Sequence, residues 1–275
     1  MQTAADMHSR NFTLPRNESA PRWWVRNDPV ATAFFNALSA TFPQGERYFI
    51  ESVKHYRDRV PAALKEQIAI FAQQESIHTR EHVVFNRLIT DAGYDAGLVD
   101  EWTKQRFDFG RQIARPIDHL AVTAALEHFT AIMAHAALTS DVDLEGAPEE
   151  IQKLWRWHAM EEIEHKAVAY DTMLAVTANI HPFRRWLLRT THMFISTIQF
   201  LDMLVRAMAL FFRTDGINKP GTWGRVLHFL LVRPGMFRRV ARNYFAYYKP
   251  GFHPWELDDR ALVAKAEASM AYAPA

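Results

Sequence analysis

Residues 155–171 read WRWHAMEEIEHKAVAYD, and their spacing decides the fold. His158, Glu162 and His165 follow one another at intervals of four and three, so an α-helix places all three on one face. The stripe that carries them runs Ile151, Trp155, His158, Glu162, His165, Ala169, Thr172 and Val176. Polar, ionisable residues therefore occupy core positions in the middle of an apolar face. A second segment repeats the pattern. In QESIHTREH (74–82), Glu75 and His78 share a stripe with Leu64, Ile68, Phe71, His82, Phe85 and Ile89. Two Glu-x-x-His pairs on core-facing stripes are costly unless something compensates them, and a metal ion would do so.

A four-helix di-metal site needs one inward carboxylate from each of two further helices. The stripe Leu120, Ala124, Glu127, Ala131, Ala134 and Leu138 supplies Glu127. In the first long helical stretch, Glu46 shares its face with Phe42, Phe49, Ile50 and Val53. Glu51 lies about 140° around that helix and is expected in solvent. The expected metal ligands are thus Glu46, Glu75, His78, Glu127, Glu162 and His165. His158 is a candidate third imidazole and His82 its rival. His82, Glu161 and His128 are candidates for groups standing behind the ligands or acting as bases. His128 and His135 otherwise read as a packing face.

Composition narrows the classes around this pattern. The chain of 275 residues has no cysteine, which excludes disulfide scaffolds, iron–sulfur clusters, zinc ribbons and thiol nucleophiles. Any metal must be held by imidazole and carboxylate, which suits iron first, with manganese or zinc as alternatives. The formal charge is +1, but it is unevenly spread. Residues 1–180 carry 18 Lys+Arg against 25 Asp+Glu, and residues 181–275 carry 14 against 6. No secretory leader, phosphate loop, dinucleotide fingerprint, nucleophile elbow or nucleic-acid recognition motif is legible. A cytoplasmic protein is expected, without a nucleic-acid partner.

Long Ala-, Leu-, Glu- and Arg-rich stretches with short breaks predict an all-α fold. Asp28-Pro29 opens a helix toward Ala40, which Pro43 and Gly45 interrupt before a second run to about Arg59. Further helices are expected from Pro61 to Ala92, over 98–115, from Pro116 to Thr139, and from Pro148 to Asn179. Later segments are divided by DGINKPGTWG, VRPGM and YYKPGFHPW. The organisation expected is an N-terminal extension (1–27), a four-helix bundle (28–180) and a basic, aromatic helical layer packed on it (181–275). The stretch 193–212 approaches membrane-spanning length, but Asp202 and Arg206 argue against a span.

The helix pattern resembles the ferritin-like di-iron carboxylate proteins. More closely, FPQGERYFI, QESIHTREH, ALEHFTA, WRWHAMEEIEHKAVAYD and YYKPGFHPW resemble a bacterial family of predicted metal-dependent hydrolases, over roughly Asp28 to Glu256. The set that includes His158 is also similar to that of the aminobenzoate N-oxygenase type, in which the additional histidine belongs to the metal site. The resemblance implies a ferritin-like bundle holding two metal ions. The first functional expectation is a di-iron enzyme that uses O2 and an electron donor to oxidise a small, apolar or aromatic substrate. The alternative is a hydrolase using a metal-bridging hydroxide. A third, metal storage or sensing, fits poorly with the long C-terminal layer. A homodimer is a further expectation. For 181–275, with Arg184, Arg185, Arg189, Arg238, Arg239 and Arg242 among Trp186 and several Phe, two readings compete: a cover over the bundle, or peripheral contact with an anionic membrane.

Overall fold

The computed structural model describes residues 7–16 and 18–270, which form helices and turns with no strand among them. Ten α-helices follow in order: α1 (Pro29–Lys54), α2 (Ala62–Asp91), α3 (Ala96–Ile113), α4 (Pro116–Leu138), α5 (Glu149–His165), α6 (Val168–Val176), α7 (Pro182–Thr214), α8 (Pro220–Leu231), α9 (Met236–Ala246) and α10 (Arg260–Ser269). The fold is all-α. Helix α1 lies against α2 and α4, α4 against α5 and α6, and α2 against α5 and α6. Along these helices the buried apolar residues fall into two clusters. One holds Phe34, Phe85, Ile132 and Leu154; the other holds Val53, Ile68, Leu120 and Ala169. The ionisable residues of the stripes lie between the two.

Two helix boundaries differ from the sequence expectation. Asp28 caps α1 as expected, its carboxylate accepting from the Val30 N–H at 2.7 Å. Pro43, however, does not break the helix, and α1 runs unbroken through it. Proline removes the N–H that would bond the Ser39 carbonyl one turn earlier. Asn86 of α2 replaces that donor, its Nδ2 reaching the Ser39 carbonyl at 3.2 Å. A side chain from a neighbouring helix thus satisfies the group that proline orphans. The opposite deviation occurs after His165, where the expected single helix from Pro148 to Asn179 is interrupted at Lys166–Ala167. Lys166 is buried there, and its Nζ donates to the Leu257 carbonyl and to Asp259 Oδ2 at 2.6 and 2.7 Å. No proline or glycine marks this break; a contact far along the chain does.

The C-terminal segment divides between cover and exposed surface. Helix α7 packs on α1 and α4, α9 on α4, and α10 on α5. Arg189 turns inward to the Tyr170 hydroxyl and the Lys249 carbonyl, at 2.8 and 2.6 Å. Arg239 is paired with Asp143. Phe211 and Phe212 are buried, whereas Phe194 is exposed.

The Pro43 arrangement carries a test. Asn86→Ala should destabilise the protein by about 1–3 kcal/mol, the usual effect of losing two such bonds, to the Ser39 carbonyl and from its hydroxyl. The loss should shrink when Pro43 is also replaced by Ala, because the substituted N–H can then reach the Ser39 carbonyl. Urea unfolding of the two single variants and the double variant measures the coupling; strict additivity would contradict the arrangement.

Candidate metal centre

Four helices deliver the site. Glu46 comes from α1, Glu75, His78 and His82 from α2, Glu127 from α4, and His158, Glu161, Glu162 and His165 from α5. Each stands where its stripe faces the interior, and Glu75, His78, Glu127 and His165 have no solvent exposure. Glu51 points to solvent, where Arg111 pairs with it at 2.7 Å.

The donor atoms converge. Single ligand atoms of Glu75, His78, Glu162 and His165 all lie within 4.8 Å of one another, and so do those of Glu46, His78 and His158. The two groups share His78. Glu127 joins through His165, whose Nδ1 sits 2.9 Å from Glu127 Oε2. All seven expected ligand residues are therefore brought to one place. Many of their atoms lack a hydrogen bond there. Glu46 Oε1, both Glu75 oxygens, His78 Nδ1, Glu127 Oε1, Glu162 Oε2 and His165 Nε2 are buried without one. Orphaned buried polar atoms are rare, and so many pointing at one another mark a cation site.

The surrounding bonds set the histidine tautomers, and each leaves a lone pair facing inward. His78 Nε2–H donates to Glu161 Oε2 at 3.0 Å, which leaves Nδ1 as the acceptor. His165 donates through Nδ1 to Glu127, which leaves Nε2 3.3 Å from Glu75 Oε1. His158 is set by a longer chain. Asn86 Nδ2 is committed to the Ser39 carbonyl, so its Oδ1 accepts the Ser39 hydroxyl at 2.7 Å. Ser39 Oγ must then accept from His82 Nδ1–H at 2.8 Å. His82 Nε2 in turn accepts from His158 Nδ1–H at 2.6 Å. That ordering leaves a lone pair on His158 Nε2, 2.8 Å from Glu162 Oε1. A lone pair facing a carboxylate at that distance requires a proton or a metal ion between them. His82 thus stands one step behind His158, as a carboxylate often stands behind a metal-bound imidazole.

Protons meet this charge poorly. Burial pushes Glu46 and Glu75 well above the ordinary carboxylate range and Glu127 up to about 7. Burial pushes Glu162 up as well, but His165 and His158 hold it at about 2. His165 is pushed down by burial, yet Glu127 and Glu162 hold it up at about 9, so without a metal ion a proton takes the inward lone pair on Nε2. Four adjacent buried carboxylates cannot all ionise with so little positive charge beside them. Two divalent ions would let them ionise, and the chemistry of the donor set fits such ions.

Several residues around this centre were not foreseen from the sequence. Arg10, almost fully buried, donates to Glu161 through its backbone N–H at 3.1 Å and to Glu164 through Nη2 at 2.7 Å. Gln74 Nε2 reaches Glu164 at 2.9 Å. Thr79 donates to Glu46 Oε2 at 2.7 Å and fixes that carboxylate. No local pattern signals Arg10, Gln74 or Thr79, because their partners lie on other helices. Glu161, a candidate for a group behind the ligands, stands behind His78. His128 does not. Its Nε2 meets the Asn243 carbonyl at 3.0 Å, and its ring lies against Tyr247 and Phe252, so it joins α4 to the C-terminal segment rather than to the cluster. His135 likewise meets Asp259 at 2.7 Å.

The centre opens on one side to an apolar cavity of about 100 Å³. Its wall is shared by α1, α3, α4 and α7, with Phe42, Phe49, Phe129, Met133 and Phe200 prominent, and Glu46, His158 and Glu162 reach it. A family model described as predicted metal-dependent hydrolase matches residues 8–258. The chain belongs to that family. Membership covers the N-terminal segment that carries Arg10 as well as all four site helices. Comparison with curated proteins and with solved structures gave no match. Family membership and the buried carboxylate–histidine cluster both point to metal ions as cofactors.

Arg10 offers a direct check on how the centre is braced. Arg10→Met should cost about 3–5 kcal/mol, because Glu161 and Glu164 would stay buried without their cation. Chemical denaturation of the metal-depleted protein reads that loss.

Proposed function

We propose that the chain is an enzyme of the ferritin-like type, holding two divalent metal ions through Glu46, Glu75, His78, Glu127, His158, Glu162 and His165. The observation that carries this reading is the set of buried, unbonded donor atoms on six of those seven residues. When bound, the metals would supply Lewis acidity and a nucleophile at neutral pH. The protein's own residues do the rest. Glu161 keeps the proton on His78 Nε2, Glu127 keeps it on His165 Nδ1, and His82 keeps it on His158 Nδ1. Each imidazole is thereby held with a lone pair turned inward. Phe42, Phe49, Phe129 and Met133 exclude water from the cavity, and Thr41, Thr130 and Gln199 give it a few polar contacts to orient a bound molecule. The substrate is accordingly a small, largely apolar molecule.

Hydrolysis is the reaction that family membership supports, with an apolar ester or amide as the substrate class. A second reading rests on the donor set. Four carboxylates beside three imidazoles donate enough negative charge to weaken Lewis acidity and to favour higher oxidation states, which suits iron and O2. One comparison separates the two. Protein loaded with Zn(II) or Mn(II) should hydrolyse apolar esters at the same rate with and without O2. Turnover by the Fe(II) form alone, with stoichiometric O2 uptake, would replace the hydrolytic reading with the oxidative one. Uptake of far more than two metals per chain would support storage instead.

The arrangement of His82 behind His158 predicts a graded effect. His82→Ala should weaken metal affinity about 10- to 100-fold without abolishing binding, the usual effect of removing a group that orients a ligand. Competition with a chromophoric chelator measures it, and an unchanged affinity would remove His82 from the metal's support.

A further inference from the structure

Helix α7 has two working faces. Its inner face is buried through Met193, Ser196, Leu204 and Phe211, and Ser196, Gln199, Phe200, Met203 and Leu204 line the apolar cavity. Its outer face is no less apolar. Phe194, Ile198, Leu201 and Val205 are exposed at intervals of four, three and four, with Phe194 60% and Ile198 54% exposed. They form one stripe about 16 Å long at the rise of an α-helix. Leu187 lies two turns before it, beyond the exposed Thr191. Single exposed apolar residues need no explanation, but a continuous stripe does.

The surroundings of the stripe identify what covers it. Twelve of the 14 exposed large apolar residues among those described lie between Ile180 and Phe245. The same region holds the excess of basic residues, with 14 Lys+Arg against 6 Asp+Glu over 181–275. Arg206 and Arg225 are paired with Asp202 and Asp28. Arg184, Arg213, Lys219, Arg233, Arg242 and Lys249 are exposed and have no acidic partner among the described residues. The remaining two exposed apolar residues, Phe109 and Ile113, lie on α3, which Arg106 joins to α7 through Asp202 and the Gln199 carbonyl.

We propose that α7 docks the protein on an anionic lipid surface, its outer stripe lying in the headgroup region and the exposed Arg184 and Arg213 of the same helix meeting lipid phosphates. Charge decides between the occupants. A second copy of this chain would bring two strongly basic regions together, whereas an anionic bilayer complements them, at about 1 kcal/mol for each Lys or Arg near the surface. The inner face of α7 is occupied by α1 and α4, so only its outer face is offered to lipid. The mode is therefore that of an amphipathic helix lying in the plane of the interface. Resting on the catalytic reading above, this places an apolar cavity on the other side of the helix that touches lipid. Its substrate would then be a molecule dissolved in the membrane.

Co-sedimentation tests the docking directly. The full-length, metal-loaded protein is mixed with phosphatidylcholine vesicles, with and without a third of phosphatidylglycerol, at low and high salt. Binding should be about tenfold stronger to the anionic vesicles and should fall at high salt. The double variant Ile198→Glu/Leu201→Glu should lose it while keeping its metal content and helical circular dichroism, since both positions lie outside the cavity. Absence of binding at low salt, or equal binding by the double variant, would overturn the proposal. So would a dimer in sedimentation equilibrium that the same double variant dissociates, since a second copy would then cover the stripe. Because the readout is sedimentation, a failure here leaves the metal reading intact, and an inactive metal centre leaves the docking intact.

Discussion

Four carboxylates placed side by side in a protein interior set the terms for the rest of this structure. Removing a charge from water is expensive, and each neighbouring like charge adds to the cost. Glu46, Glu75, Glu127 and Glu162 come from four different helices, so no local rearrangement of one helix can separate them. The histidines offset part of the charge, but each spends one nitrogen on an outer partner. What remains is a ring of acceptors turned toward one another, which only cations can satisfy.

That constraint explains the layer of partners around the ring. Glu161, Glu127 and His82 each orient one imidazole, and Thr79 fixes one oxygen of Glu46. Glu161 and Glu164 are themselves buried acids, and Arg10 reaches in from the N-terminal segment to meet both. The same Arg10 extends to Glu267 of α10 at 2.8 Å. Both ends of the described chain thus converge on the outer side of α5. The apolar cavity lies on the side reached by Glu46, His158 and Glu162, so one side of the cluster is braced by charge and another is open to a ligand.

Much of this centre was legible in the sequence because helical periodicity is local. Residues three and four apart share a face whatever the rest of the chain does, so the stripes through Glu75 and His78, and through His158, Glu162 and His165, follow from spacing alone. The choice of Glu46 over Glu51 has the same basis. The partners of these residues were not legible in that way. Arg10 lies 151 residues from Glu161, and nothing in its neighbourhood marks it as buried. His128 has the same local surroundings as Glu127, yet the adjacent position on the helix turns it toward Asn243 rather than the cluster.

The sequence by itself determined that the chain is helical, which helix faces are apolar, and which acids and histidines those faces carry. It did so because side-chain periodicity and backbone propensity act within a few residues. The tertiary structure decided the rest. It kept α1 whole at Pro43 because Asn86 of another helix supplies the missing donor. It broke the chain after His165, where Lys166 is tied to residues ninety positions away. It set His82 behind His158 through a hydrogen-bond chain that crosses three helices. It also showed that α7 is apolar on two faces, one spent on the cavity and one left outward. Each of these depends on which distant groups meet, and spacing along a single helix carries no record of that.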